Sequence, residues 1–191
     1  MIRVAILGDI GSGKTFVSKQ FGYPIFNADE EVSKIYKKDK SCFLKIKKAL
    51  PKFILSNSLN KNEITNAILD DFKNLNKISK IVHPLVRKKL NYFLLKNKKK
   101  KMVVLDIPLF IENKLHKKDD ILVFIDAKKN DIQKKLKKRK NYNKTIFNNL
   151  KLIQLPLAKK KRMSKFTLVN NFNSNKTKKD IIIIKKKILN K

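Results

Sequence analysis

Glycine is scarce in this chain: four in 191 residues, beside five prolines, one cysteine and no tryptophan. That composition excludes collagen-like and low-complexity classes, and a lone Cys42 excludes an internal disulfide. No Cys/His grouping has the spacing of a zinc site, and Cys42 reads as a small apolar residue on a helix rather than a nucleophile. Long hydrophobic runs are missing as well. Nothing approaches the ~20 apolar residues that cross a bilayer, and the most lipid-like stretch of the tail, Ile181–Ile184, is flanked by lysines. The apolar run Val4–Leu7 is too short for a signal peptide, so a cytoplasmic protein with no membrane partner is expected.

Acids and arginines are also few. Against 48 Lys+Arg there are 15 Asp+Glu, a formal net charge of +33, yet only four of the cations are arginine: Arg3, Arg87, Arg139 and Arg162. A charge of this size first suggests a polyanionic partner, because phosphate neutralisation dominates nucleic-acid affinity. Bidentate phosphate and base-edge recognition, however, favour the planar fork of Arg over the point charge of Lys. The abundant Lys, Asn, Ile and Phe all have A/T-rich codons, and drift towards A+T would load any solvent-tolerant surface with them. Nucleic acid is therefore expected only as a weak, non-specific ligand. At 42% hydrophobic residues the chain can still bury a core, and its length fits one domain with inserted subdomains.

What is present alternates between strands and helices. Ile2–Leu7 is a compact apolar run closed by Gly8, as a buried parallel strand requires. A turn over 8–13 precedes a helix over Lys14–Phe21, and Tyr23–Phe26 reads as a short second strand. From Glu30 to about Asn97 the apolar spacing is helical, interrupted at Pro51 and Ser56–Asn62. His83-Pro84 is expected to begin a new helix there, with proline in its first turn. Met102–Leu105, Ile121–Ile125 and Phe166–Val169 read as further strands. Asn130–Arg139, Thr145–Leu155 and Thr177–Leu189 read as helices, the last with Ile181, Ile184 and Ile188 on one face. The pattern implies an α/β fold: a parallel five-stranded sheet flanked by helices, of the phosphate-loop NTPase type if a phosphate-binding loop follows its first strand.

Three of the four glycines fall within Gly8-Asp9-Ile10-Gly11-Ser12-Gly13-Lys14-Thr15, which fits GxxxxGK[ST] between a strand and a helix. Glycine is retained where backbone must approach a ligand closely. Backbone N–H groups of Gly11, Ser12, Gly13, Lys14, Thr15 and Phe16 would form a nest for phosphates. Lys14 would reach the β and γ phosphates, and Thr15 would ligate Mg²⁺ accompanying ATP. Asp106 closes an apolar strand and is either a second Mg²⁺ partner or a turn cap. Asp29, after the second strand, is either the base that takes the proton of an acceptor hydroxyl or the N-cap of a helix starting at Glu30. Arg139, in the basic stretch 134–140, is either a bidentate phosphate ligand or part of a solvated face. His83 is either structural or a substrate contact.

GDIGSGKT, NADEE (27–31), IVHPLVRKKL (81–90), LDIPLFIEN (105–113) and VNN (169–171) together resemble the dephospho-coenzyme A kinases, in order and spacing, over essentially the whole chain. The resemblance implies transfer of the ATP γ-phosphoryl group to the ribose 3′-hydroxyl of dephospho-CoA. It also implies a nucleotide-binding core over 1–28, 99–127 and 164–191, a helical acceptor-binding domain over 29–98 and a lid over 128–163; a monomer is expected. Asp29 becomes the acid/base residue, His83, Pro108, Leu109 and Glu112 help form the acceptor site, and Arg139 joins Lys14 in catalysis from the lid. Asp9 stands where the family often has glycine, so its carboxylate must point away from the phosphates. Asn27 replaces the first Asp of the usual Asp-Ala-Asp, and the lid carries lysines in place of arginines. Two other functions fit the composition: a basic nucleic-acid binder on a phosphate-loop scaffold, and a small-metabolite kinase with another acceptor.

Overall fold

The computed structural model describes residues 1–138 and 142–190. In chain order the elements are β1 (Ile2–Gly8), α1 (Lys14–Gln20), β2 (Ile25–Asn27), α2 (Ala28–Lys38), α3 (Lys40–Ala49), α4 (Lys61–Asp70), α5 (Lys73–Lys96) and β3 (Met102–Asp106). They continue with β4 (Ile121–Asp126), α6 (Lys129–Lys137), α7 (Lys144–Leu152), α8 (Leu157–Met163), β5 (Phe166–Val169) and α9 (Ser174–Leu189). Two compact units result, one of residues 1–27 and 97–191, the other of residues 28–96.

The first unit is built on a five-stranded sheet in the order β2-β3-β1-β4-β5, every pairing parallel. The inner strands β1, β3 and β4 are continuous apolar runs because both their faces are buried, whereas the edge strand β5 alternates, with Thr167 and Val169 exposed and Leu168 buried. Val4, Ile6, Val104, Val123, Ile125 and Leu168 share one core cluster with Val17 and Phe21 of α1 and its connection, and with Ile181, Ile184 and Ile188 of α9. The expected isoleucine face of the last helix is thus the buried one. An ion pair, Arg3 Nε to Asp120 Oδ1 at 2.9 Å, with one hydrogen bond from Nη2 to Oδ2 at 3.1 Å, ties β1 to the turn before β4. Burial pushes the Asp120 carboxyl up from its ordinary value, opposed by a hydrogen bond from Lys117 N–H and by the nearby Arg3 charge.

The second unit is helical. Ile35, Cys42, Ile46, Leu50, Ile54, Ile64, Ala67, Ile78 and Val82 form its core. Cys42 is the small buried apolar residue its setting suggested, and burial pushes its thiol up to about 11. Asp39 caps α3 by accepting from Cys42 N–H at 2.8 Å, and Asn60 caps α4 by accepting from Asn62 N–H at 2.8 Å.

Three local expectations need correction. His83-Pro84 does not start a helix; Pro84 lies inside the 24-residue α5. Proline removes one ladder hydrogen bond there. The apolar face to either side of it, Ile78 and Val82 before and Leu90 after, is buried and holds the helix through that loss. Asp29 is no N-cap, since α2 already begins at Ala28 and Asp29 sits in its first turn. The helix expected over 145–155 stops at Leu152, and a second one, α8, starts after Pro156, whose ψ of 132° cannot continue a helix.

Candidate active site

Because all five strands run parallel, Gly8, Asn27, Asp106, Asp126 and Val169 end at the same edge of the sheet. Ligands of open α/β sheets bind outside that edge. The loop 9–13 leaves β1 there and enters α1 through Gly13, at φ 92°, a left-handed conformation that favours glycine. A Cβ at Gly13 would lie 2.5 Å from Asn170 Nδ2, and one at Gly11 would lie 3.0 Å from the Leu136 side chain. The loop therefore needs glycine for space as well as for dihedral angle.

Asn170 closes the loop from the end of β5. Its Nδ2 donates to Ser12 O at 2.8 Å, and its Oδ1 accepts from Phe172 N–H at 3.0 Å. Its own N–H donates to Asp126 O at 2.7 Å. This residue went unassigned in the sequence, although two asparagines closing an apolar strand were a visible signal. Lys14 Nζ folds back over the loop and donates to Asp9 O at 2.8 Å and Gly8 O at 3.3 Å. Thr15 and Phe16 are exposed in the first turn of α1. Ser12 is fully buried, and its Oγ has no partner among the described residues.

The Asp9 carboxylate is buried and held by its surroundings. Its Oδ1 accepts from Ile10 N–H at 2.7 Å, and its Oδ2 lies 3.4 Å from Lys151 Nζ. Gln154 has two amide orientations: in the one that satisfies both charged neighbours, Nε2 donates to Asp9 Oδ1 at 3.3 Å and Oε1 accepts from Lys160 Nζ at 2.9 Å, and in the opposite one Nε2 donates to Gly8 O at 3.3 Å. Lys160 Nζ in turn pairs with Glu112 Oε1 at 2.7 Å, and that oxygen also accepts from Leu155 N–H at 2.9 Å. Glu112, Gln154 and Lys160 are thus joined to the phosphate loop. Sequence reasoning missed Gln154 and Lys160.

The remaining candidates fall in different places. Asp106 is buried and accepts from Asn27 Nδ2 at 2.9 Å, so Asn27 presents a donor, where an Asp would have set two carboxylates against each other. Pro108 is exposed, and Leu109 beside it has φ 52°. Beside the loop, Asp131, Lys134, Lys135, Lys138, Asn171 and Phe172 line a hollow, with Lys135 Nζ 5.4 Å from the Phe172 ring centre. Arg139 lies outside the described residues. Asp29 and His83 belong to the helical unit, on α2 and α5. Burial, reinforced by the Arg87 charge one turn on, holds the His83 imidazole below the ordinary 6.5.

The sequence profile described as dephospho-CoA kinase matches residues 2–176. The chain belongs to the dephospho-CoA kinase family. Among its relatives in that family, the dephospho-CoA kinase of Wolbachia sp. subsp. Brugia malayi is 32% identical over 170 residues, covering 86% of this chain and 87% of the relative. That of Bartonella henselae is 28% identical over 191 residues, 97% of each chain. Among solved structures, the dephospho-CoA kinase from Campylobacter jejuni superposes with a TM-score of 0.67 at 17% identity, over 97% of this chain and 96% of that one. A Thermus thermophilus protein superposes with a TM-score of 0.77 at 21% identity, over 96% and 95%. At such identities the structural likenesses carry the fold. Family membership makes the chain a kinase.

Proposed function

We propose that this chain transfers the γ-phosphoryl group of ATP to the ribose 3′-hydroxyl of dephospho-CoA. The observation that carries the reading is the phosphate loop, set at the carboxyl edge of the sheet and locked by Asn170, with Lys14 beside it. The N–H groups from Gly11 to Phe16 bind the phosphates, helped by the positive end of α1. Lys14 exchanges its two carbonyl partners for phosphate oxygens as charge spreads over the transferring group. Asp29 accepts the proton of the 3′-hydroxyl while a bond forms from that oxygen to the γ phosphorus. The bond from phosphorus to the β–γ bridging oxygen breaks, and ADP leaves.

His83, Pro108, Leu109 and Glu112 are assigned to the acceptor side by resemblance, Glu112 with its carboxylate already paired to Lys160. Arg139 is assigned to a lid over 128–163. The hollow beside the loop offers the Phe172 ring as a flat apolar face for a purine and lysines for its phosphates. Mg²⁺ fits the donors present: the exposed Thr15 hydroxyl and the Asp106 carboxylate are hard oxygen donors, few enough to leave the ion its waters and the substrate phosphates. When bound it neutralises charge on the β and γ phosphates.

A coupled assay for ADP release, run with and without dephospho-CoA and against a panel of other alcohols, tests the reading. ADP release that depends on dephospho-CoA is expected. Lys14→Ala and Asp29→Asn should each lower turnover by about a hundredfold or more while the fold persists. Release that favours a different acceptor would overturn the assignment.

A further inference from the structure

We propose that Lys160 is a positioning residue for nucleotide binding, acting through Gln154 and Asp9 on the phosphate loop; the proposal rests on the kinase reading above. Four cations run consecutively from Lys159 to Arg162, and of these Lys160 alone is buried, its side chain 4% exposed. Compositional drift explains lysines on a surface. It does not explain an ammonium group taken out of water, which is costly unless paired, and which a well-packed apolar residue often replaces with no loss of stability.

The pairing is directional. Glu112 Oε1 fixes Lys160 Nζ at 2.7 Å and is itself held by Leu155 N–H. Lys160 has only donors to offer, so it turns the oxygen of Gln154 towards itself at 2.9 Å and leaves the Gln154 amide nitrogen facing Asp9 Oδ1 at 3.3 Å. Asp9 is the second residue of the phosphate loop, and its carbonyl accepts from both Lys14 Nζ and Ser12 N–H. Moving the Asp9 side chain therefore moves the carbonyl on which Lys14 rests, and frees a carboxylate to repel phosphate. Without Lys160, the Gln154 amide is free to turn its nitrogen to Gly8 O, 3.3 Å away, and its oxygen to the Asp9 carboxylate, which it then no longer restrains.

The test measures ADP affinity by calorimetry, the KM for dephospho-CoA, and thermal stability, on the full chain. Lys160→Met alone leaves the Glu112 charge buried and unpaired, so it is combined with Glu112→Leu; Gln154→Leu, which keeps the ion pair, serves as the second variant. Both are expected to fold and to weaken ADP binding about tenfold, the scale of one lost charge-assisted hydrogen bond. For Gln154→Leu, which leaves the acceptor side intact, the KM for dephospho-CoA should stay near the wild-type value. Adding Asp9→Asn to Gln154→Leu should give less than the sum of the separate losses, because the two act as one unit. Lys160→Arg should retain most of the affinity. Folded variants that bind ADP as tightly as the wild type would overturn the positioning role alone. A wild-type chain that binds no ADP would overturn the kinase reading beneath it.

Discussion

Lys160 and Lys161 are neighbours on α8, and each has its ammonium 2.7 Å from a carboxylate, Glu112 and Asp126 respectively. The first pair is buried, with side chains 4% and 11% exposed; the second stands in water, at 51% and 42%. Distance is the same, so the difference lies in solvation. An exposed ion pair trades Coulomb energy against hydration and side-chain freedom and comes out near zero. A buried one leaves a charge stranded if either partner is removed. In a chain of net charge +33 the number of lysines says little about function, and the surroundings of each one say a great deal.

Four substitutions probe how far burial governs what a side chain contributes. The largest effect is expected for Lys160→Met by itself, a loss of about 3–5 kcal/mol in urea unfolding, because Glu112 stays behind as an unpaired buried charge. A loss as small as that of a surface lysine would remove the distinction. Next comes Gly13→Ala, where left-handed strain of more than about 1 kcal/mol adds to displacement of Asn170. ADP affinity should fall at least about tenfold, together with a lower melting temperature.

His83 gives a smaller effect that depends on pH. The fold favours its neutral form, so on acidification the unfolded chain takes up the proton first. Its contribution is complete above the ordinary 6.5 and is lost as the pH falls from there through the depressed folded value. In unfolding titrations, His83→Gln should flatten the stability profile in that window and leave it unchanged at pH 8. The smallest effect belongs to Lys161→Met, between zero and about 1 kcal/mol, with turnover unaltered.

Much of the framework was legible because its signals are local. Compact apolar runs marked the strands, and a glycine cluster in a glycine-poor chain marked the loop. Pro84 misled because local rules place proline in a first turn, whereas the burial of Ile78, Val82 and Leu90 along α5 carries the helix past it. The helix α8 was hidden by its composition, since Ala158-Lys159-Lys160-Lys161-Arg162 has no apolar periodicity to read; Pro156 before it was the available sign. Lys160 could not be told from Lys159 or Lys161 in one dimension, because its burial depends on Glu112, 48 positions earlier in the chain. Asn170 acts at a similar remove, 158 positions from the Ser12 carbonyl it holds. Long-range polar contacts carry no period.

The proposed transfer is read out by incubating the chain with ATP, Mg²⁺ and dephospho-CoA and locating the new phosphoryl group on the product by NMR. A single phosphoryl group on the ribose 3′-oxygen, formed by the wild type and not by folded Asp29→Asn, is the expected result. A phosphoryl group at another position, or equal product from Asp29→Asn, would contradict it.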